Sequence, residues 1–182
     1  MWRRDKFFAK NKRLAYEPLA KRHALMLFSE ISDPLLYRFI AGNAPRSVVE
    51  LATRYARLGN GPLRSDLTWH NWAMLDGPNA IGTLHAVVSE NLRALVSCLV
   101  CRRHWDHGYA TEGVRWMLNQ LAVDGVERAE AYIDTRNAAA ITVVTRLGFR
   151  LRTIVRQAEL SDAPMSEECV YELEFPTMRR GS

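Results

Sequence analysis

Apolar residues recur along the chain with two periods, and the alternation between them outlines the fold. Val114, Met117, Leu118 and Leu121 fall at i, i+3, i+4 and i+7, which predicts a helix over Tyr109–Val123 ended by Asp124-Gly125. Ser47-Val48-Val49-Glu50 is a capping box, so a second helix is expected from Val48 to Leu58 with Gly59 as its stop. Asn137 can cap a third, running to Leu147 before Gly148. Leu19–Glu30 is helical in pattern, with Leu25, Met26 and Phe28 expected inward, until Ser32-Asp33-Pro34 breaks it. Strands are expected at Leu14–Glu17, Leu67–Leu75, Ile81–Ser89, Leu92–Cys101, Ala129–Asp134, Phe149–Gln157 and Glu168–Phe175. Asp76-Gly77-Pro78-Asn79 and Glu90-Asn91 are read as turns. Leu35–Ile40 fits either a short helix or a strand. The order β α α β β β α β α β β describes an α/β (α+β) domain: a mixed, mostly antiparallel sheet with helices on both faces.

The junction between the apolar run Leu95–Val100 and the helix at Tyr109 carries the first chemical signal. Strand, glycine-containing loop and helix follow in order, which leaves unpaired N–H groups at the positive end of a helix, a site suited to a phosphate. Gly108 lets backbone approach a ligand without a Cβ. A tight strand-to-helix turn would use the same residue. No GxxxxGK[ST] or GxGxxG is present, and Gly59-Asn60-Gly61-Pro62 lacks the lysine of a nucleotide loop.

Composition narrows the class. The chain has 182 residues, 48% of them hydrophobic, enough for one cored domain at residues 13–176 between a lead-in at 1–12 and a flexible tail at 177–182. No apolar run approaches the roughly 18 residues of a membrane span. Only Phe7-Phe8-Ala9 follows the charges at Arg3, Arg4, Asp5 and Lys6, so no secretory leader is read and cytoplasm is the expected location. Cys98 and Cys101 stand i and i+3 on one strand and should point to opposite faces, which disfavours a shared metal or redox pair; no metal site is expected. The net charge of +5 could serve an acidic partner. The one dense basic patch, Arg3 to Arg13, reads more simply as a solvated segment, and nucleic acid is a disfavoured partner.

The run Trp105-Asp106-His107-Gly108-Tyr109-Ala110-Thr111-Glu112-Gly113 resembles the acetyl-CoA motif of the GNAT superfamily of N-acetyltransferases, in which a Q/R-x-x-G-x-G/A loop wraps the pyrophosphate. Trp105 holds the Q/R place, Gly108 that of the central glycine and Ala110 that of the last small residue. Asn137-Ala138-Ala139-Ala140-Ile141 through Arg146-Leu147-Gly148-Phe149 resembles the N-x-A-S-I…K-L-G-F block of the branch that acetylates ribosomal-protein N-termini and small amines. Arg13-Leu14-Ala15-Tyr16-Glu17-Pro18-Leu19, Ala80-Ile81-Gly82-Thr83-Leu84 and Tyr171-Glu172-Leu173-Glu174 are similar to its opening, "IG" and closing strands.

The resemblance implies a twisted sheet of about seven strands, splayed at a cofactor gap between Leu95–Cys101 and Ala129–Asp134. It also implies transfer of an acetyl group from acetyl-CoA to a primary amine, on a protein N-terminus or a small molecule. Leu99, Val100, Cys101, Trp105, Asp106, His107, Gly108, Tyr109, Ala110, Thr111 and Asn137 would hold the donor. Asn137 would reach pantetheine or a water besides capping its helix. A homodimer is compatible with the family. An acyl-CoA-binding regulatory module without turnover is the alternative.

The chain departs from its relatives where proton transfer is concerned. Ala140 stands where they often carry Ser, Val143, Val144 and Thr145 where others carry Tyr, and Leu95 and Cys98 where Glu and Tyr are common. The expected substitutes are His85, as a base near neutral pH, Asp134 at a strand end beside the acceptor cleft, and Tyr132 as an acid. Glu112 is read as a complement to the helix dipole. The acceptor side is expected between the Asp33–Pro45 and Leu160–Ser166 loops, lined by Tyr37, Phe39, Trp69 and Trp72, with Glu159 and Asp162 available to an ammonium.

Overall fold

A computed structural model describes residues 13–40, 42–156 and 167–176. The lead-in at 1–12, the tail at 177–182 and the Leu160–Ser166 loop with Glu159 and Asp162 lie outside the described residues. Seven strands and four α-helices alternate as β1 (Ala15–Pro18), α1 (His23–Ile31), α2 (Val48–Gly59), β2 (Leu67–Asp76), β3 (Asn79–Ser89), β4 (Arg93–Val100), α3 (Tyr109–Val123), β5 (Arg128–Asp134), α4 (Ala138–Arg146), β6 (Arg150–Arg156) and β7 (Glu167–Glu174). The ambiguous stretch after α1 is a 3₁₀ turn, Pro34–Tyr37, capped by Asp33, whose side chain accepts from Leu35 N–H. The sheet order is β1-β2-β3-β4-β5-β7-β6, and β4–β5 is its parallel junction.

Two hydrophobic layers sandwich the sheet. On one face α3 and α4 bury Val114, Met117, Leu118, Leu121, Val144 and Leu147 against Leu84, Ala86, Val96, Ala131 and Ile133. Met117, Leu118 and Leu121 are wholly buried, each worth roughly 1.5–3 kcal/mol relative to exposure. On the other face α1 and α2 bury Leu27, Ile31, Leu51 and Tyr55 against Ala73, Leu99 and Cys101. Cys98 belongs to the first layer and Cys101 to the second, as strand alternation requires, and both are free thiols.

The inward face of α1 differs from expectation. His23, Ala24, Leu27 and Ile31 are buried, whereas Leu25 is 76% exposed and Met26 38%. That face joins the apolar Ala24, Leu27 and Ile31, with the expected Phe28 packed against them, to a hydrogen-bonded histidine. His23 Nδ1 accepts from Ala20 N–H at 2.9 Å, so Nε2 carries the proton and donates to Glu17 of β1 at 3.0 Å. A buried imidazole with both nitrogens engaged is inexpensive, and it fixes the rotation of α1.

Two glycines set the spacing around β4. A Cβ at Gly82 would collide with the carbonyl oxygen of Leu99, so only glycine lets β3 and β4 approach there. A Cβ at Gly113 would lie 2.5 Å from Met74 Sδ, so the missing side chain lets the first turns of α3 settle onto the sheet.

Candidate active site

The parallel pairing of β4 with β5 covers only Arg93–Leu95 against Arg128–Glu130. Beyond it Val96–Val100 and Ala131–Asp134 share no ladder, and the two strands part. Because Cys101 N–H donates to Ile81 O at 2.8 Å, the odd residues of β4 direct their backbone groups toward β3. The even ones, Val96, Cys98 and Val100, therefore direct theirs into the opening. Of the expected donor residues Leu99, Val100 and Cys101, only Val100 presents backbone to the gap; Leu99 and Cys101 are turned to β3. The Val100 carbonyl in turn accepts from the Trp105 indole Nε1 at 2.8 Å. Trp105 thus closes the end of β4, and in the place where relatives carry Gln or Arg it brings no charge.

At that end of the gap the chain turns sharply into α3. Asp106 has φ +61° and Gly108 φ +78°, and no side chain caps the helix. The first N–H groups of α3 are therefore left for an anion. Gly108 is required by its left-handed backbone: a Cβ there would meet nothing closer than Arg13 Nη2 at 3.7 Å. Arg13 pins the loop from outside the motif. Its Nη2 donates to His107 O at 3.0 Å, its guanidinium lies 4.9 Å from the Tyr109 ring centroid, and its Nε pairs with Glu112 at 3.1 Å. Glu112 also accepts from the N–H groups of Arg13 and Leu14, so it ties β1 to α3 besides complementing the dipole. Tyr109 hydroxyl donates to Asp76 at 2.6 Å, His107 stacks on its ring, and His107 Nδ1 lies 2.6 Å from Trp105 O. Ala110 and Thr111 lie in the first turn.

Across the gap Asn137 caps α4, its Oδ1 accepting from Ala140 N–H at 3.1 Å. The Nδ2 donors remain for a ligand. Uncapped helix, left-handed glycine, unpaired strand edge and this amide border the opening between β4 and β5, and they are donors and acceptors of the kind that the diphosphate and amide groups of coenzyme A would require.

The α3 and α4 helices pack on one face of the sheet, and β4 and β5 present other residues on the opposite face. There Ser97 is exposed, and so are Leu95 and Tyr132, the latter at 48%. Tyr132 and His85 share this face, Tyr132 on β5 and His85 beside Ser97 across the β3–β4 ladder. His85 is fully committed. Asn71 Nδ2 donates to Leu58 O at 3.2 Å, so its Oδ1 accepts from His85 Nδ1–H at 2.7 Å. Nε2 must then accept from Thr83 hydroxyl, 3.0 Å away. Burial pushes the imidazole down to about 4. It is a neutral strap joining α2, β2 and β3, without a free lone pair at neutral pH.

Asp134 is likewise engaged. Arg136 grips both oxygens, at 2.9 and 2.6 Å, and its N–H donates to Oδ1 at 2.8 Å. Those bonds hold the carboxyl below the usual carboxylate range, the wrong direction for a base. Neither side chain is arranged to accept a proton, which leaves Tyr132, an exposed residue on the unpaired part of β5 opposite β4, as the remaining candidate. Trp72 also departs from expectation: it meets Trp116 edge-on, 5.4 Å between centroids, on the α3 side and away from the acceptor. Sequence reasoning named the segment after α1 but not the two contacts that anchor it. Asp33 lies 3.4 Å from Arg102 at the end of β4, and Phe39 lies under Arg136 at the end of β5, 5.8 Å from centroid to guanidinium. The pairing of Asp33 with a residue 69 positions away leaves no local signal.

The sheet is thus open at its parallel junction, with an uncapped helix turn at one end and an amide across the opening. Residues 13–150 match the family model described as Acetyltransferase (GNAT) domain, and the chain belongs to that family. It is similar to the uncharacterized N-acetyltransferase YoaA of Bacillus subtilis, with 25% identity over 104 residues, 56% of this chain and 59% of that protein. Among solved structures, the Microcin C7 self immunity acetyltransferase MccE in complex with acetyl-CoA and AMP superimposes with a TM-score of 0.80 at 13% identity, covering 91% of this chain and 94% of that one. A Salmonella typhimurium acetyltransferase that modifies the N-terminal serine of ribosomal protein L7/L12 does so with 0.78 at 15% identity, covering 91% and 97%. No helix of the described residues is long and apolar enough to cross a membrane.

Proposed function

We propose that this protein transfers an acetyl group from acetyl-CoA to a primary amine. The observation that carries the reading is the splay of β4 from β5 directly before an uncapped helix led by Gly108 at φ +78°. Pyrophosphate would be held by the first N–H groups of α3, and the pantetheine arm by Val96 and Cys98 backbone and Asn137 Nδ2. So held, the thioester carbon faces the side of the sheet that carries Ser97 and Tyr132. There the amine nitrogen bonds to the acetyl carbon, the carbon–sulfur bond breaks, and the amine proton leaves as the thiol forms. One structural relative is described as modifying a protein N-terminal serine, and another was solved with acetyl-CoA and AMP, which supports an acetyl-CoA-dependent transferase without choosing its acceptor.

With His85 and Asp134 engaged elsewhere, orientation supplies most of the acceleration, and a positioned acid or base contributes only about 10²- to 10⁴-fold. The rate should rise toward alkaline pH as the free amine accumulates. Thiol release with a panel of amines tests this. A folded protein that binds acetyl-CoA and releases no thiol with any amine would instead support an acyl-CoA-binding module, a reading favoured by the same scarcity of free acid–base groups.

A further inference from the structure

We propose that the acceptor amine also carries an anionic group, a carboxylate or a phosphate, and that Arg38, seated on Phe39, selects it. The proposal rests on the acetyl-transfer reading above and adds the charge class of the substrate.

The segment from Asp33 to Phe39 bridges the acceptor mouth. It is tied to the β4 end through Arg102 and to the β5 end through Arg136. An acceptor entering opposite the donor passes beside it. The carboxylates bordering this face are already matched. Glu30 pairs with Arg103 at 2.5 Å, Asp33 with Arg102 at 3.4 Å, Glu130 with Arg93 at 3.4 Å and Asp134 with Arg136 at 2.6 Å. Glu172 takes two arginines, Arg128 at 3.3 Å and Arg152 at 3.6 Å. Glu168, the cross-strand neighbour of Asp134, is engaged too. Among the described residues, a polycationic acceptor would have to displace one of these arginines to find a counter-charge.

Arg38 is the opposite case. It is exposed and makes no ion pair among the described residues, and its guanidinium stacks 4.9 Å from the Phe39 centroid. The same ring meets Arg136 from 5.8 Å, but the charge of Arg136 is spent on Asp134. Among the described residues, Arg38 thus leaves one positive charge unmatched here, on a planar fork seated against an aromatic ring. That geometry suits bidentate capture of a carboxylate or phosphate.

The test compares isosteric amines by thiol release: glycine against glycinamide, phosphoethanolamine against ethanolamine, and spermine, each with the full chain, Arg38→Ala and Arg38→Glu. The two pairs separate carboxylate from phosphate recognition. The expected result is a preference for the acidic member of at least one pair by about 10-fold in kcat/KM, with each rate referred to the free-base fraction of its amine. Arg38→Ala should remove that preference through KM, with the neutral amines unchanged, and Arg38→Glu should turn it toward spermine. A wild-type preference for neutral or polycationic amines would overturn the proposal alone, as would a preference that survives Arg38→Ala in a variant still stabilised by acetyl-CoA. Absence of thiol release from every amine, with acetyl-CoA bound, would overturn the transferase reading and this inference together.

Discussion

The two sides of the gap are built on different terms. On the donor side the parts are bound to one another: Arg13, Glu112, His107, Tyr109 and Asp76 form a linked set around Gly108, and Trp105 locks the last β4 carbonyl. What is left unpaired there is backbone, which no substitution removes directly. On the acceptor side the backbone is ordinary sheet and turn. Specificity falls to side chains, of which His85 and Asp134 are committed to structure, while Tyr132 and Arg38 stand exposed. On the proposed reading, the difference teaches that a fixed ligand, the same coenzyme for every turnover, would be held by main chain. A variable one is met by side chains that cost little to change.

The largest expected effect breaks the donor side. Acetyl-CoA binding to the native state at about 100 times its dissociation constant adds roughly 2.7 kcal/mol of stability. Gly108→Val places a β-branched residue at φ +78° and should abolish that gain, read as loss of the thermal shift in a protein that still folds. A retained shift would mean the phosphates bind elsewhere.

The next effect sharpens the structural reading of the acceptor side. His85 is neutral in both folded and unfolded chains above its ordinary value near 6.5, so the stability it carries is complete there. Between pH 6.5 and about 4 the unfolded chain takes up a proton that the folded chain refuses, and stability falls by roughly 3 kcal/mol. In His85→Gln this part of the acid loss should vanish in denaturant titrations at pH 7 and pH 4.5, while turnover of the folded variant at pH 8 changes little. An unaltered acid slope, or a rate lost by more than about 10⁴-fold, would return His85 to the catalytic list.

A smaller effect crosses the gap. Asn137→Ala should lose about 1 kcal/mol of stability with its cap. If the amide also holds pantetheine, acetyl-CoA affinity drops as well; equal affinity would leave only the cap. The smallest concerns Tyr132→Phe, which keeps the exposed ring and deletes the hydroxyl. Turnover should fall by no more than about 100-fold if the acceptor supplies its own free base, with the alkaline rise of the pH profile preserved. Loss of that rise in a variant with normal acetyl-CoA binding would assign the proton to Tyr132.

Much of this molecule is legible along the chain because its signals are local. The helix Tyr109–Val123 is found at its expected limits, since one amphipathic period and one glycine define both its buried face and its start. The Ser47 and Asn137 caps work as read, each side chain accepting an N–H three residues on. The thiols of the CxxC spacing fall in separate layers, because alternation is a property of the strand itself.

What the residues could not declare depends on partners far along the chain. The buried side of α1 takes in a histidine reaching Glu17 and leaves Leu25 and Met26 exposed. Which β4 groups face the gap follows from the register of β4 on β3, since backbone direction alternates every residue and a one-residue slip would exchange Val96, Cys98 and Val100 for their neighbours. The availability of His85 and Asp134 was fixed by what they bond, Asn71 and Thr83 in one case and Arg136 in the other. The sequence by itself determined the elements, their order and the glycine turn before Tyr109, because short-range sterics and periodicity suffice for those. Only the tertiary structure decided which polar groups are spent and which are left for a substrate, because a hydrogen bond or charge is consumed by whatever lies near it in space.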